Sequence, residues 1–249
     1  MKKTLIVTAL IWLLCPVAAQ AELTLSLGYA TGTSPYKSYD SQHVFLPLIN
    51  FESDLFYLRA LEAGVKVYEN EYFQVSAFAA YDPSKFDPSD SSDHQLRRLD
   101  KRRAGVLAGG RVSFNSEIGK FSASLAADVS GHSQGLVSRL DYQRVFDLNG
   151  RLTLIPQAGF YWRSEKYYDY YYGVSRREAA RSGLEAYEAD SGFSPFVGLA
   201  ANLALDEEAR WKIFGRGEVA FLPDAVQDSP MVDRSHTFGF STGVSYTFK

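Results

Sequence analysis

A two-residue alternation over the last thirteen residues most constrains what this chain can fold into. From His236 to Phe248, even positions carry bulky, mostly aromatic side chains, whereas odd positions carry only glycine, serine and threonine. Side chains of a β-strand alternate between two faces, so this segment has one apolar face and one small, polar face. A strand of about ten such residues is typical of a membrane-spanning barrel, although a soluble sandwich strand can share the pattern.

The same alternation recurs along the chain. Clear examples lie at 120–129, 151–163 and 211–221, and further strands are predicted at roughly 22–30, 43–51, 54–61, 62–68, 72–81, 104–116, 135–147 and 193–205. Short polar turns at 69–71, 116–119, 147–150 and 206–209 alternate with long connections at 82–103, 164–192 and 223–235. Short periplasmic turns and long extracellular loops are the pattern of outer-membrane barrels.

Strand parity gives the predicted fold. Both ends of such a barrel are periplasmic, so the number of strands is even; eight follow from Tyr72 onward, and residues 22–68 supply four or two. We predict an all-β, antiparallel transmembrane β-barrel of about 12 strands, with about 10 as the alternative. Two aromatic girdles are expected, with Phe114, Phe121, Phe146, Trp211, Tyr246 and Phe248 near the short turns and Phe160, Trp162 and Phe221 near the long loops.

The first residues predict export. Lys2 and Lys3 precede an apolar run to Pro16, and Ala19-Gln20-Ala21 is a small-x-small cleavage site, so residues 1–21 form a predicted signal peptide and 22–249 the barrel. Cys15 is the sole cysteine and lies inside this peptide, which excludes disulfides in the exported chain. The chain carries 26 basic and 29 acidic residues, a balance that argues against nucleic-acid binding. We therefore expect the cell outer membrane of a Gram-negative bacterium.

Two segments carry a family resemblance. The first is Tyr170, Tyr171, Tyr172, Gly173, Val174 and Ser175, followed by Glu178, then Ser182, Gly183 and Leu184, and finally Tyr187; the second is Asp228, Ser229, Pro230 and Val232, with Met231 inside it. This pattern resembles the signature of the MipA/OmpV family of outer-membrane proteins, and the resemblance extends over the whole exported chain. It departs at Lys249, which follows the terminal aromatic that such barrels usually present to the barrel-assembly machinery.

The signature also has a local physical meaning. Ser175 and Glu178 have the spacing of a capping box, Ala179 and Ala180 favour helix, and Gly183 suits a left-handed stop. The longest loop is therefore predicted to hold a two-turn helix. The surrounding tyrosines form either a lid or binding surface at the barrel mouth, or an ordered loop that packs on the inner wall.

Charged residues are predicted on the inner face of the barrel. They are Arg111, Lys120, Asp128, Arg139, Asp141, Arg151, Arg163, Lys212, Arg216 and Glu218. Such groups either pair to fill the interior or line a narrow water path, which would favour anions because basic residues predominate. The loop at 82–103 ends in Arg97, Arg98, Lys101, Arg102 and Arg103, which either contact lipopolysaccharide phosphates or form a solvated loop.

Catalysis and metal binding have little support. His132-Ser133 at a hairpin tip suggests a hydrolase site, but no third member or oxyanion donor is identifiable, and no histidine pair has the spacing of zinc ligands. We expect no cofactor and no enzyme. The resemblance implies a scaffold that contacts a murein transglycosylase and a peptidoglycan synthase. The alternative is a narrow channel, or a small-molecule-binding barrel that uses the tyrosine-rich loop.

Overall fold

Each strand pairs antiparallel with its neighbour in sequence, and the last strand pairs with the first, which closes the sheet into a barrel. The computed structural model describes residues 21–39 and 41–248. Its strands are β1 (Glu22–Gly32), β2 (Gln42–Glu52), β3 (Phe56–Arg59), β4 (Glu62–Glu69), β5 (Phe73–Asp82), β6 (Gly105–Ser116), β7 (Gly119–Asp128), β8 (Leu136–Gln143), β9 (Phe146–Leu148), β10 (Leu152–Arg163), β11 (Gly192–Ala204), β12 (Trp211–Phe221) and β13 (His236–Phe248).

The thirteen segments make twelve barrel strands, because β8 and β9 are two parts of one strand of the barrel. Both pair with β10, and the register is the same on either side of the interruption at Arg144 and Val145. Opposite the interruption lies Pro156, which has no backbone N–H to donate to the ladder. The preferred count of twelve is therefore confirmed, and the strand predicted at 135–147 is present with an interruption at Arg144 and Val145.

The alternation behaves as predicted. On β13, Phe248 is 47% exposed on the outer face, while Thr247 is 3% exposed on the inner face. Outward rings contact one another near the short turns: Trp211 lies 4.9 Å from Tyr246, and Tyr246 lies 4.8 Å from Phe248, between ring centroids. The apolar outer face and its aromatic girdle are those of a barrel that spans a membrane.

The helices lie in the extracellular loops. Helix α1 (Glu165–Tyr172) and helix α2 (Arg176–Ser182) belong to loop 5 (164–191), and α3 (Asp224–Gln227) belongs to loop 6 (222–235). Loop 1 (33–41) joins β1 to β2, loop 3 (83–104) contains two short 3-10 turns, and loop 4 (129–135) joins β7 to β8. Across residues 21–39 and 41–248, no helix is both long and apolar enough to cross a membrane.

The largest cluster of buried apolar side chains lies in these loops rather than in the barrel. Loops 1, 3, 5 and 6 all contribute to it, so they fold together into a compact layer over the mouth, which we call the cap. Two predicted features, the signal peptide (residues 1–20 of it) and the terminal Lys249, lie outside the described residues. The cap carries both family segments, and it is the candidate site.

Candidate functional site in the extracellular cap

Helix α2 begins with the predicted capping box. Ser175 Oγ accepts a hydrogen bond from the Glu178 backbone N–H (3.3 Å), and Glu178 Oε2 accepts one from the Ser175 backbone N–H (3.0 Å). The helix ends at Gly183, whose φ of 78° lies in the left-handed region that favours glycine. The predicted helix is therefore confirmed. Helix α1, which precedes it, was not predicted, because tyrosines dominate its sequence and are only moderate helix formers.

The carboxylate of Glu178 also joins loop 5 to loop 3. Its Oε1 accepts hydrogen bonds from the Arg102 guanidinium (2.8 Å) and from the Asp100 backbone N–H (2.9 Å). Arg102 further donates to the carbonyl oxygens of Asp100 (2.8 Å) and Gly173 (3.2 Å). The side chains of Arg102 and Glu178 are only 9% and 4% exposed. Arg102 is thus buried, and its interpretation as a lipopolysaccharide contact is wrong.

The cap is expected to loosen in acid because of Glu178. Burial raises the pKa of Glu178, but hydrogen bonds from Asp100 and Ser175 and the charge of Arg102 outweigh that effect and hold the pKa below its ordinary value of 4.5. A carboxyl with a lowered pKa stabilises the fold above its ordinary pKa, and this stability is lost as the pH falls through the folded value. Protease cleavage of loops 3 and 5 should therefore rise below pH 4.5, and Glu178→Gln should flatten that rise. An unchanged profile in the variant would contradict this role.

Tyrosine rings form the interior of the cap. Tyr167, Tyr168 and Tyr171 on α1 are 2–3% exposed, and Tyr36 from loop 1 is 3% exposed. The Tyr167 and Tyr171 ring centroids lie 4.9 Å apart, within the range in which aromatic pairs attract. Burial raises the pKa of Tyr36 and of Tyr167 well above the ordinary value, so both hydroxyls stay protonated. These rings are a structural core rather than an exposed platform.

The tyrosine hydroxyls tie this core to several loops. Tyr167 Oη donates to Asp82 Oδ2 (2.8 Å) at the end of β5, and Tyr171 Oη donates to the Arg103 carbonyl (3.1 Å) in loop 3. Tyr187 Oη donates to the Ala225 carbonyl (3.0 Å) in loop 6. A buried hydroxyl needs a partner, and here the partners lie at the end of β5, in loop 3 and in loop 6. The interpretation of the tyrosines as an ordered packing element gains support from these contacts.

The second family segment contacts the first. Ser229 Oγ donates to the Tyr172 carbonyl (2.6 Å), and the Val232 backbone pairs with that of Tyr36. Met231 between them is fully buried, whereas Asp228 is exposed. Asp228-Ser-Pro-Met-Val232 therefore fastens loop 6 to loops 1 and 5.

An open cleft lies on the outer side of the cap. It has a volume of about 830 Å³ and runs between loop 3 and loop 5. Tyr170, Val174, Ser175 and Tyr187 from the family signature line it, together with Arg176. Tyr170 Oη accepts a hydrogen bond from the Arg103 backbone N–H (2.9 Å), which fixes its ring at the edge. Tyr170, Ser175 and Tyr187, which are signature residues that are not fully buried, come together at this cleft.

Five of the ten predicted inner-face charges form ion pairs in the barrel, namely Arg139 with Asp141, Arg216 with Glu218, and Arg111 with Glu62. Arg139 Nε donates to Asp141 Oδ1 (2.9 Å), and its guanidinium lies 4.3 Å from the Phe196 ring centroid. Arg216 Nη2 lies 3.4 Å from Glu218 Oε2. Charges held in such pairs fill the interior instead of lining a free water path.

The remaining predicted charges have varied surroundings. Arg163 lies at the base of the cap, with its guanidinium 4.7 Å from the Tyr161 ring centroid, and Lys120 and Lys212 occupy inward positions towards the periplasmic end. Arg151 is exposed in a periplasmic turn, so its inclusion among the lumen charges is wrong. Asp128 accepts hydrogen bonds from backbone N–H groups of loop 4.

Sequence reasoning missed two inward acidic residues, Glu52 on β2 and Glu62 on β4. Glu62 accepts two hydrogen bonds from Arg111 (2.5 and 2.8 Å). Glu52 lies 2.8 Å from Lys66 Nζ and 3.1 Å from Arg59 Nη2. Alternation within residues 22–68 would have placed Glu52 and Glu62 inward. When Glu52 and Glu62 are counted among the inner-face charges, the excess of basic over acidic residues is proportionally smaller. This weakens the basis for a preference for anions.

His132 and Ser133 do not have the geometry of a nucleophile and its base. Both Ser133 Oγ (3.0 Å) and Ser130 Oγ donate to Asp128, and His132 Nδ1 lies 3.3 Å from Ser130 Oγ. In a catalytic triad the histidine lies between the serine and the carboxylate, whereas here the serines contact the carboxylate directly. Among the residues that the structure describes, no group of three potential metal ligands is close enough to hold an ion.

Comparison with known proteins agrees with this geometry. The family model described as "MltA-interacting protein MipA" matches residues 25–248. The chain belongs to this MipA family. It is 38% identical to the MltA-interacting protein of Escherichia coli K12, over 92% of each chain. It is 36% identical to the E. coli K12 outer membrane protein YiaT, over 93% of each.

Membership of the MipA family and the closed barrel identify the chain as an outer-membrane protein. Among solved structures, it is similar to the translocator domain of the autotransporter NalP from Neisseria meningitidis, with a TM-score of 0.49 and 10% identity over 97% of this chain and 93% of that one. Neither the family description nor these relatives' names denote a catalytic activity.

Proposed function

We propose that this MipA-family barrel is a non-catalytic scaffold that binds a murein transglycosylase at its periplasmic rim and links it to a peptidoglycan synthase. The observation that carries the proposal is the 38% identity, over 92% of each chain, to a relative named for interaction with MltA. Similarity over the whole barrel, rather than over a single loop, makes a shared binding surface the simplest inference.

The architecture favours a scaffold function more than an open-pore function. The cap covers the mouth with its own apolar core, and arginines of the interior are held by carboxylates and rings. A narrow channel or small-molecule-binding barrel is the second candidate, favoured by the cleft of about 830 Å³ beside the family signature. Conductance across a planar bilayer separates the two, since a scaffold requires none.

The periplasmic rim is a predominantly acidic surface. Its turns at 53–55, 70–72, 117–118, 149–151 and 205–210 carry the acidic residues Asp54, Glu71, Glu117, Asp206, Glu207 and Glu208, against Arg151 and Arg210. Ile118 (59% exposed) and Leu205 (52% exposed) lie among them. An apolar contact surrounded by carboxylates fits a partner with basic residues around an apolar patch.

Photo-crosslinking from Ile118 tests the scaffold. We expect Ile118→p-benzoylphenylalanine to capture murein enzymes in living cells, because this side chain lies exposed at the tip of a periplasmic turn. The matched control is the same substitution at Val129, which is 61% exposed at the opposite end of β7. Mass spectrometry of the adducts should find a transglycosylase with the first variant only.

Charge reversal sharpens that experiment. Glu117→Lys in the Ile118 variant should lower the yield of adducts several-fold, since steering between complementary charges raises the rate of encounter. If ultraviolet light yields no murein enzyme from Ile118, or yields it equally from Val129, the scaffold proposal is wrong.

A further inference from the structure

The barrel wall is lower at one place than elsewhere. Strand β3 has four residues and β4 has eight, whereas their neighbours β2 and β5 have eleven and ten. Strand β3 pairs with β2 only at Asn50–Glu52, and the hairpin turns back at Ala60 and Leu61. Residues 42–48 of β2 therefore pair with β1 on one side and, among the described residues, with no strand on the other.

This gap lies on the extracellular half of the barrel, because residues 42–48 are the part of β2 next to loop 1. Strands rise about 3.3 Å per residue and lie about 4.8 Å apart, so the gap measures roughly 20 Å along β2 and roughly 10–15 Å across. Outer-membrane barrels have an apolar band about 25 Å tall, which places the gap at the height of the outer leaflet.

Loops 1 and 3 close the gap from above. The backbone of Tyr39 pairs with that of Ser91, and the Ser92 N–H donates to the Ser38 carbonyl (3.0 Å). Ser91 Oγ donates to the Lys37 carbonyl (3.3 Å). The gap is thus bordered by β2, by the top of the β3–β4 hairpin, by the end of β5 at Tyr81 and Asp82, and by these two loops, and we call it the wall opening.

The sequence of β2 disfavours pairing of its free edge with another strand. Pro47 lies in its middle, and proline is confined to edge positions because it has no N–H for a ladder. The other backbone groups of this edge would cost several kcal/mol each if they faced only hydrocarbon. Polar atoms, from water or from a ligand, must therefore reach the wall opening.

A cavity lies behind the wall opening. It has a volume of about 500 Å³ and is lined on one side by Gln42 and Val44 of β2 and on the other by Pro83, Ser84 and Lys85, which directly follow β5. Both sides of the wall opening thus contribute to the cavity wall. Glu218 and Thr237 line its far side, and Tyr172 lines it from the cap.

Three consecutive inward side chains of β2 are apolar. Val44, Leu46 and Leu48 point inward, as shown by their pairing with the inward residues Ala30, Gly28 and Ser26 of β1. On the outer face of the same edge, Phe45 is 76% exposed. An aliphatic chain would therefore find apolar side chains on both sides of the edge.

We propose that the wall opening is a lateral entrance through which a single-chain amphiphile passes from the outer leaflet into the cavity. Its chain enters beside Val44, which lines the cavity, with Leu46 and Leu48 next to Val44 on the same face of β2, and its polar end reaches Glu218 and Thr237 on the far side. A cavity of this size is in the range that holds small ligands. This entrance is independent of the periplasmic scaffold.

Cysteine labelling from the lipid phase tests the entrance. The described residues contain no cysteine, so Val44→Cys and Ser241→Cys each carry one reporter in the barrel. Both positions point inward on the same register line, since Ala30 pairs with Val44 on one side and with Ser241 on the other. Only Val44 borders the wall opening, and Ser241 lies behind paired strands.

The reagent is N-hexadecyl maleimide in liposomes that contain the full-length barrel, normalised to a small water-soluble maleimide. We expect Val44→Cys to react about tenfold faster than Ser241→Cys, because hydrocarbon chains do not cross a wall of paired strands. Lauroyl lysophosphatidylcholine should slow the reaction by competing for the cavity. Leu46→Cys serves as a second reporter if Val44→Cys does not fold. Equal normalised rates at the two positions, whether both slow or both fast, would overturn the proposal.

Discussion

Arg102→Ala is expected to release the cap from the barrel mouth. Removing one partner of a buried ion pair leaves an unpaired charge and costs about 3–5 kcal/mol. Here the remaining carboxylate of Glu178 would keep its hydrogen bonds from Ser175 and Asp100 but lose the guanidinium that neutralises it. Loops 3 and 5 should then open locally while the barrel stays closed, since the barrel ladder does not include Arg102.

The measurement is the rate of protease cleavage in loops 3 and 5 on intact cells. A cost of that size raises the open population at least a hundredfold, since about 1.4 kcal/mol corresponds to tenfold. The control is Lys101→Ala, whose side chain is 59% exposed and pairs with Asp87. An exposed pair contributes about 0–1 kcal/mol, so cleavage should change little.

A double variant separates loss of charge from loss of packing. Arg102→Met combined with Glu178→Gln removes both charges, and the amide oxygen can still accept from the backbone N–H of Ser175 or Asp100, so this variant should recover much of the protection that Arg102→Ala loses. Cleavage of Arg102→Ala at the rate of Lys101→Ala would show that the ion pair does not hold the cap.

The barrel itself was predictable because its signal is local. Alternation along β13 depends only on neighbouring residues, and each turn is read from a few polar residues. The capping box at Ser175 and Glu178 is local for the same reason, and the structure has it as predicted.

The cap and the wall opening were not predictable in the same way, because both depend on contacts between residues far apart in the sequence. Arg102 and Glu178 are 76 residues apart, and a run of basic residues gives no sign that one of them turns inward. The height of the β3–β4 hairpin is likewise set by pairing, because an apolar strand of four residues and one of eight show the same alternation. Predicted short segments at 54–61 and 62–68 were therefore correct in number but uninformative about the wall opening.

Function follows the same division. Family membership rests on residues 25–248 and brings a periplasmic partner into consideration, whereas the cap and the wall opening lie on the other side of the membrane. A scaffold needs a stable barrel and an exposed rim; it does not need three consecutive apolar side chains on the inner face of β2. Those side chains are the feature which the proposed scaffold leaves unexplained, and the lateral entrance accounts for them.

Gly109→Val is expected to prevent the barrel from closing. Gly109 is on the inner face of β6 and pairs with Ala126 of β7. A Cβ at this position would overlap the Leu125 carbonyl oxygen and lie 2.6 Å from the Ala126 Cα. Both obstacles are backbone atoms of a paired strand, so the substitution must separate β6 from β7 and break the ladder between them.

The neighbouring residue provides the control. A Cβ at Gly110 has only the Ser76 carbonyl oxygen within reach, at 3.8 Å, which is ordinary contact. Gly110→Ala should therefore reach the outer membrane at the level of the unaltered chain, while folded Gly109→Val should fall at least about tenfold, as an obstructed backbone approach costs several kcal/mol. The folded fraction is measured from the mobility of unheated against heated samples on gels. In a closed barrel, separating one pair of strands creates two strand edges within the hydrocarbon layer. The backbone N–H and C=O groups of these edges cannot form hydrogen bonds with water there. Equal folded amounts of the two variants would mean that β6 and β7 can part without opening the barrel.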